Sequence, residues 1–145
     1  MLVHDFARRH LTAGWISITL FIGLGIVLEV LHAFKVGFLL DVDHETRRLM
    51  WSLAHAHGTL LGILNVALAA TAARLTRWPA ERLSLVSRAM LAATVFVPGG
   101  FLLGGIDPTG GDPGIGILLV PPGGFLLFGV AALVSHAVAT TREDG

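Results

Sequence analysis

The chain has 145 residues, 54% of them hydrophobic and only 14% charged, with 18 glycines and no cysteine, and its mean hydropathy is +0.76. A soluble globular domain carries about 25% charged residues, so this composition excludes a soluble enzyme, a nucleic-acid binder and a disordered tail. Ten basic residues balance ten acidic ones; no net charge draws the chain to polyanions, and without cysteine there is neither a disulfide framework nor a thiolate metal site.

Crossing a hydrocarbon layer of about 30 Å takes about 20 mostly apolar helical residues. Four stretches free of Asp, Glu, Lys and Arg qualify: 11–28, 49–73, 89–106 and 114–141. Backbone groups in lipid must be bonded within their own segment, and the period-two alternation of a membrane β-strand is absent, which leaves helices. The expected fold is therefore all-α: an integral membrane four-helix bundle, up-down-up-down, forming one domain over 1–145 with helices near 11–38, 47–73, 84–106 and 114–140.

Ahead of the first helix, Arg8 and Arg9 resemble a twin-arginine signal. The apolar run that follows is longer than the about 7 to 15 residues of a cleaved leader and lacks a small-residue cleavage site, so it reads as a retained helix. Its far end carries Glu29 and His32, three apart on one helical face, where they can hydrogen-bond or jointly bind a cation. The first loop holds Lys35, Asp41, Asp43, Glu45, Arg47 and Arg48.

Helix 2 contains His55, His57, Gly58 and Asn65. Two positions apart on a helix is a rotation of about 200°, so the two imidazoles point to opposite sides and cannot both ligate one ion without distortion. His55, Thr59 and Gly62 make one stripe, and His57, Leu61 and Asn65 make roughly the other. Counting inward at about 1.5 Å per residue puts Glu29, His32, His55 and His57 at one depth in the outer half, a candidate polar layer.

Pro98-Gly-Gly-Phe-Leu-Leu-Gly-Gly-Ile106 in helix 3 recurs in helix 4 as Pro122-Gly-Gly-Phe-Leu-Leu-Phe-Gly-Val130, preceded there by Pro121. Each proline deletes a helical hydrogen bond and each glycine pair removes bulk, so both helices are expected to kink or to pack backbone to backbone. Close packing is the preferred reading, and broken helices that hold a solute the other. Between them lies the turn-rich Asp107-Pro-Thr-Gly-Gly-Asp-Pro-Gly114. His4, His10 and His44 fall in tails or loops and His136 near the end of helix 4, where solvated surface roles suffice. Trp15, Trp51 and Trp78 sit near helix ends as interfacial anchors.

Basic residues are retained on the cytoplasmic side. Arg8, Arg9, Arg74, Arg77, Arg82, Arg88 and Arg142 lie in the N-terminal tail, second loop and C-terminal tail, against Lys35, Arg47 and Arg48 in the first loop. Both termini are expected to be cytoplasmic.

The Gly111-Asp-Pro-Gly-Ile115 turn leading into Pro121-Pro-Gly-Gly-Phe-Leu-Leu-Phe-Gly129, together with His57-Gly-Thr-Leu-Leu-Gly62, resembles an uncharacterised family of small four-helix membrane proteins. This is domain of unknown function 423, which includes bacterial inner-membrane members and vertebrate transmembrane protein 256. Its first helix ends in a Gly-Ala-His to which His32 corresponds, while Glu29 and Leu31 depart from its small residues. That resemblance implies the architecture and brings no activity. Locally, His55-Ala-His57-Gly-Thr-Leu-Leu-Gly62 is similar to the His-x-His helix of haem-copper oxidases and nitric-oxide reductases, where the two rings serve two haems; the copper histidines of that family have no counterpart.

The reading that follows is a non-enzymatic, multi-pass protein of the cytoplasmic (inner) membrane, in contact with the lipid bilayer and not with nucleic acid, working as a homo-oligomer or as an accessory subunit of a larger membrane complex. For the polar layer, mutual hydrogen bonding across helices is the preferred reading, and the most concrete chemical one is a haem or a transition metal ion in the outer half, with His55 or His57 as ligand and Glu29 and His32 as second ligand or support. Two alternatives stand beside these: a purely structural subunit, and an oligomeric carrier of small solutes or protons.

Overall fold

The computed structural model describes residues 2–37, 45–75 and 78–140. It consists of α1 (Val3–Ala33), α2 (Glu45–Ala70), a short 3-10 turn (Ala72–Leu75), α3 (Ala80–Gly104), a second 3-10 segment (Ile115–Leu119) and α4 (Val120–Thr140). Four helices are long and apolar enough to cross a membrane, the last one counted from Ile115, as a multi-pass membrane protein requires. Asp41, Asp43, His44, Arg77 and Arg142 lie outside the described residues.

The helix limits differ from those expected, for local reasons. α1 begins at Val3, well before residue 11, because one face of its first turns, Phe6 and His10, is covered by protein, while His4, Asp5, Arg8 and Arg9 stay exposed. It closes at Ala33: Lys35 adopts a left-handed φ of 50°, its N–H donates to the His32 carbonyl, and the Val36 N–H donates to Leu31. That pair of bonds is a Schellman stop, which satisfies carbonyls the helix would otherwise leave open. The repeated proline motif plays two different parts. Pro98 lies inside α3, whereas Pro121 and Pro122 occupy the first turn of α4, where no helical N–H is needed and proline costs little. The expected break in helix 4 is therefore the junction between the 3-10 segment and α4.

Packing is carried by glycines more than by large side chains. A methyl on Gly62 would sit 2.9 Å from the Gly14 carbonyl oxygen and 3.0 Å from the Ile18 nitrogen, and one on Gly58 would enter the Phe21 ring. These positions let α1 and α2 run antiparallel with backbones nearly touching, and Ser17 adds a hydrogen bond to the Gly58 carbonyl at 2.8 Å. Between α3 and the segments that follow it the same device recurs: methyls on Gly100 and Gly123 of the repeat and on Gly116 of the 3-10 segment would meet Val120, Val97 and Leu103. Close packing of small residues is a major source of helix association where lipid offers no hydrophobic drive. Gly99 and Gly124, the partners of that repeat, have nothing within 4 Å.

The two ends of the molecule are held differently. Phe6, Leu61, Leu68, Leu75, Leu83 and Met90 belong to an ordinary apolar core toward the start of α1. At the other end, buried Arg47 donates from Nε to the Gly105 carbonyl (3.1 Å) and from Nη2 to Ile106 (3.2 Å), while Trp51 donates to Leu102 (3.1 Å). A guanidinium on the last carbonyls of α3 satisfies its open acceptors and opposes the negative end of the helix dipole. Beyond it, Thr109 and Asp112 exchange backbone hydrogen bonds of 3.0 Å each around Gly110 and Gly111, whose φ values of 60° and 88° suit a type I′ turn that other residues resist. Thr46 donates to the Gly111 carbonyl at 2.6 Å, tying α2 to this turn.

α2 and α3 form the centre, with 39% of their most apolar windows buried, while α1 and α4 flank them with 17% and 11%. The flanking helices therefore present most of their apolar surface outward. Replacing Gly62 by leucine is expected to lower stability by about 1–3 kcal/mol through overpacking, whereas Gly99→Ala and Gly124→Ala should leave it unchanged or slightly raised; helical unfolding in detergent, followed by circular dichroism, separates the two classes.

Candidate functional site

His55 projects from α2 toward α1. Its Nδ1 lies 2.6 Å from the Phe21 carbonyl oxygen, and since that oxygen only accepts, Nδ1 carries the proton. In the neutral ring Nε2 then holds the lone pair. The ring rests against Gly25, where any side chain would run into it. His55 lines a groove of about 400 Å³ between α1 and α2 together with Gly25, Leu28, Glu29 and Ser52. Next to it, Glu29 and Ser52 also line a smaller recess of about 260 Å³ with His32 and Arg48. Glu29 and His32 are exposed, so this strip opens sideways from the helix pair.

His57 lies elsewhere. Its Nδ1 donates to the Leu53 carbonyl one turn back, at 2.9 Å, and its ring packs 4.9 Å from Phe101 of α3, tilted by 38°. The expected layer of four is thus divided: Glu29, His32 and His55 share the α1/α2 side, and His57 faces α3, as the rotation between positions 55 and 57 requires. Among the described residues no group of three or more His, Cys, Asp or Glu side chains could hold a metal ion.

A second polar constellation corrects the sequence reading. His10 is not in a solvated tail; it is inside α1 and fully buried. Its Nδ1–H donates to Asn65 Oδ1 at 2.7 Å. The Asn65 amide donates to the Leu61 carbonyl and to Thr94 Oγ1, both at 2.8 Å, and Thr94 donates to Met90 at 2.8 Å. One asparagine therefore joins α1, α2 and α3. His10 Nε2 is buried with no hydrogen-bond partner, and the ring packs 4.5 Å from Phe6. The signal was present in the spacing: Phe6, His10, Gly14 and Ser17 are the buried residues of α1, one helical face with steps of four, four and three. Trp51 likewise serves the α3 terminus rather than the lipid interface alone, and Trp78 lies under the Arg82 guanidinium, 5.3 Å from the ring. His136 is exposed on α4, as expected.

No family model matches this chain, and neither a curated protein nor a solved structure matches it. The site is therefore read from its own geometry.

Asn65→Leu is expected to cost about 1–3 kcal/mol, because it leaves the buried His10 ring without its acceptor. The double variant His10→Phe with Asn65→Leu should recover most of that loss, since both polar partners are then gone. Thermal unfolding of the three proteins in one detergent measures the difference.

Proposed function

We propose that this is a non-enzymatic, multi-pass protein of the cytoplasmic membrane that binds a haem or a transition metal ion in the groove between α1 and α2, with His55 as the protein ligand and Glu29 beside it. The observation that carries this reading is the Nδ1–H bond from His55 to the Phe21 carbonyl. A carbonyl on one ring nitrogen is the usual partner of a metal-ligating histidine, because it fixes the tautomer, holds the ring still and raises the basicity of Nε2. Bound there, such a group supplies Lewis-acid or electron-transfer chemistry. The chain's own contribution is to orient one imidazole and set a carboxylate near it. His32, on the same strip as Glu29, is the second ligand or a hydrogen-bonded support, and His57 is a separate imidazole directed to the α3 side.

The orientation proposed has both termini in the cytoplasm in an up-down-up-down course, since the arginine-rich segments 8–9, 74–88 and 142 then share the inner side. Kinship with the small four-helix family named above is part of this reading, carried by the turn at 111–115 and the run at 121–129. A second reading, an accessory subunit or homo-oligomer, draws on the sideways opening of the strip: exposed Glu29 and His32, on a helix with 17% of its apolar window buried, leave room for a neighbouring chain to complete the ligand set.

Absorption spectroscopy and metal analysis of the detergent-purified protein, before and after loading with haem or divalent metal, test the proposal. A Soret band or stoichiometric metal is expected, abolished in His55→Ala and retained in His57→Ala, with Glu29→Gln weakening affinity about 10- to 100-fold. A colourless, metal-free sample after loading, or equal loss in the two histidine variants, would defeat the assignment to the α1/α2 groove.

A further inference from the structure

At the opposite end of α1 a groove of about 530 Å³ runs between α1 and α3, lined by Asp5, Arg8, Arg9, Thr12 and Ile16 of α1 and by Leu91 of α3. Its lining has two zones. Arg8 and Arg9 are exposed and precede the apolar run that begins at residue 11, the place basic residues take beside lipid headgroups at the end of a membrane helix. Thr12 follows one turn deeper, and Ile16, 54% exposed, another turn beyond. From Arg9 to Ile16 the helix rises about 10 Å, roughly the step from a lipid phosphate to the upper acyl chain.

We infer that this groove seats one singly anionic glycerophospholipid, its phosphate held by Arg8 and Arg9 with the Thr12 hydroxyl near the ester region and one acyl chain lying along Ile16 and Leu91. Guanidinium groups match phosphate oxygens in charge and in fork geometry, and basic grooves between membrane helices are suited to lipid headgroups. Charge selects the class of lipid. Two arginines and Asp5 leave the groove with a net charge of +1, which one phosphodiester neutralises. A free phosphate would use only the upper zone and leave the apolar track uncovered. A peptide or a second helix would have to bring an acidic group and an apolar strip in the same order; a lipid carries both at the right separation by its nature. The site is independent of the histidine strip, which lies at the other end of α1.

The test uses the full chain in nanodiscs of equal parts phosphatidylglycerol and phosphatidylcholine, with the lipid retained after extraction into detergent counted by native mass spectrometry. One phosphatidylglycerol is expected to stay bound in preference to phosphatidylcholine. Arg8→Ala with Arg9→Ala should weaken its retention about fivefold for each arginine removed, and Asp5→Asn should strengthen it by a similar factor. The Asp5 variant guards against misfolding, because it predicts a gain. Equal retention of the two lipids, unchanged retention in the double arginine variant, or displacement of the bound lipid by inorganic phosphate would each overturn the proposal, the last by reassigning the groove to a free anion. Preferential retention of phosphatidylethanolamine, offered in place of phosphatidylcholine, would overturn it too, by giving Asp5 the leading role.

Discussion

The approach of α1 to α2 through glycine is the constraint on which most of this molecule depends. In lipid, apolar side chains gain little by leaving their surroundings for one another, so helices adhere where backbones can come close and where polar groups find partners. Gly14, Gly58 and Gly62 provide the closeness, and Ser17 uses it to reach a carbonyl on the neighbouring helix. Gly25 extends the same seam to His55, whose ring lies in the space a side chain would have taken. The orientation of the candidate ligand is thus a product of helix packing, since neither the carbonyl at Phe21 nor the flat recess would be within reach at an ordinary interhelical distance.

Polar groups are distributed so that each half of the bundle has its own clamp. Near the start of α1, Asn65 uses its whole amide to connect three helices, with His10 on one side and Thr94 on the other. Near the Asp107–Asp112 turn, Arg47 and Trp51 hold the last carbonyls of α3. Both devices work because a buried polar group that loses its partner is costly, which gives the helices one register in preference to others. The stretch between the clamps is supported mainly by small residues, and it is there that His55 and His57 diverge.

That divergence explains why the histidines form two environments. A rigid helix cannot bring positions two apart to one ion. His55 therefore shares a groove with Glu29 on the α1/α2 surface, next to the recess that Glu29 lines with His32, and His57 joins Phe101 in the α2/α3 contact. The first environment opens sideways from the α1/α2 pair; in the second the half-buried His57 ring lies against Phe101 of α3.

Much of the architecture was legible in residue order alone. Uncharged runs long enough to cross a bilayer follow from composition, and the opposed directions of His55 and His57 follow from the helical repeat. Local capping and tertiary partners were not legible: Lys35 ends α1 through a left-handed backbone that lysine does not advertise, and Arg47, counted as an outer-loop charge, turned out to be a buried cap for a helix nearly sixty positions away. His10 reads as a solvated tail residue because hydropathy marks where lipid begins, not where protein covers a helix; it is in fact fully buried. Periodicity along one chain reports angle and depth; which neighbour fills each direction depends on the rotation and spacing of other helices, and that only the folded arrangement decides.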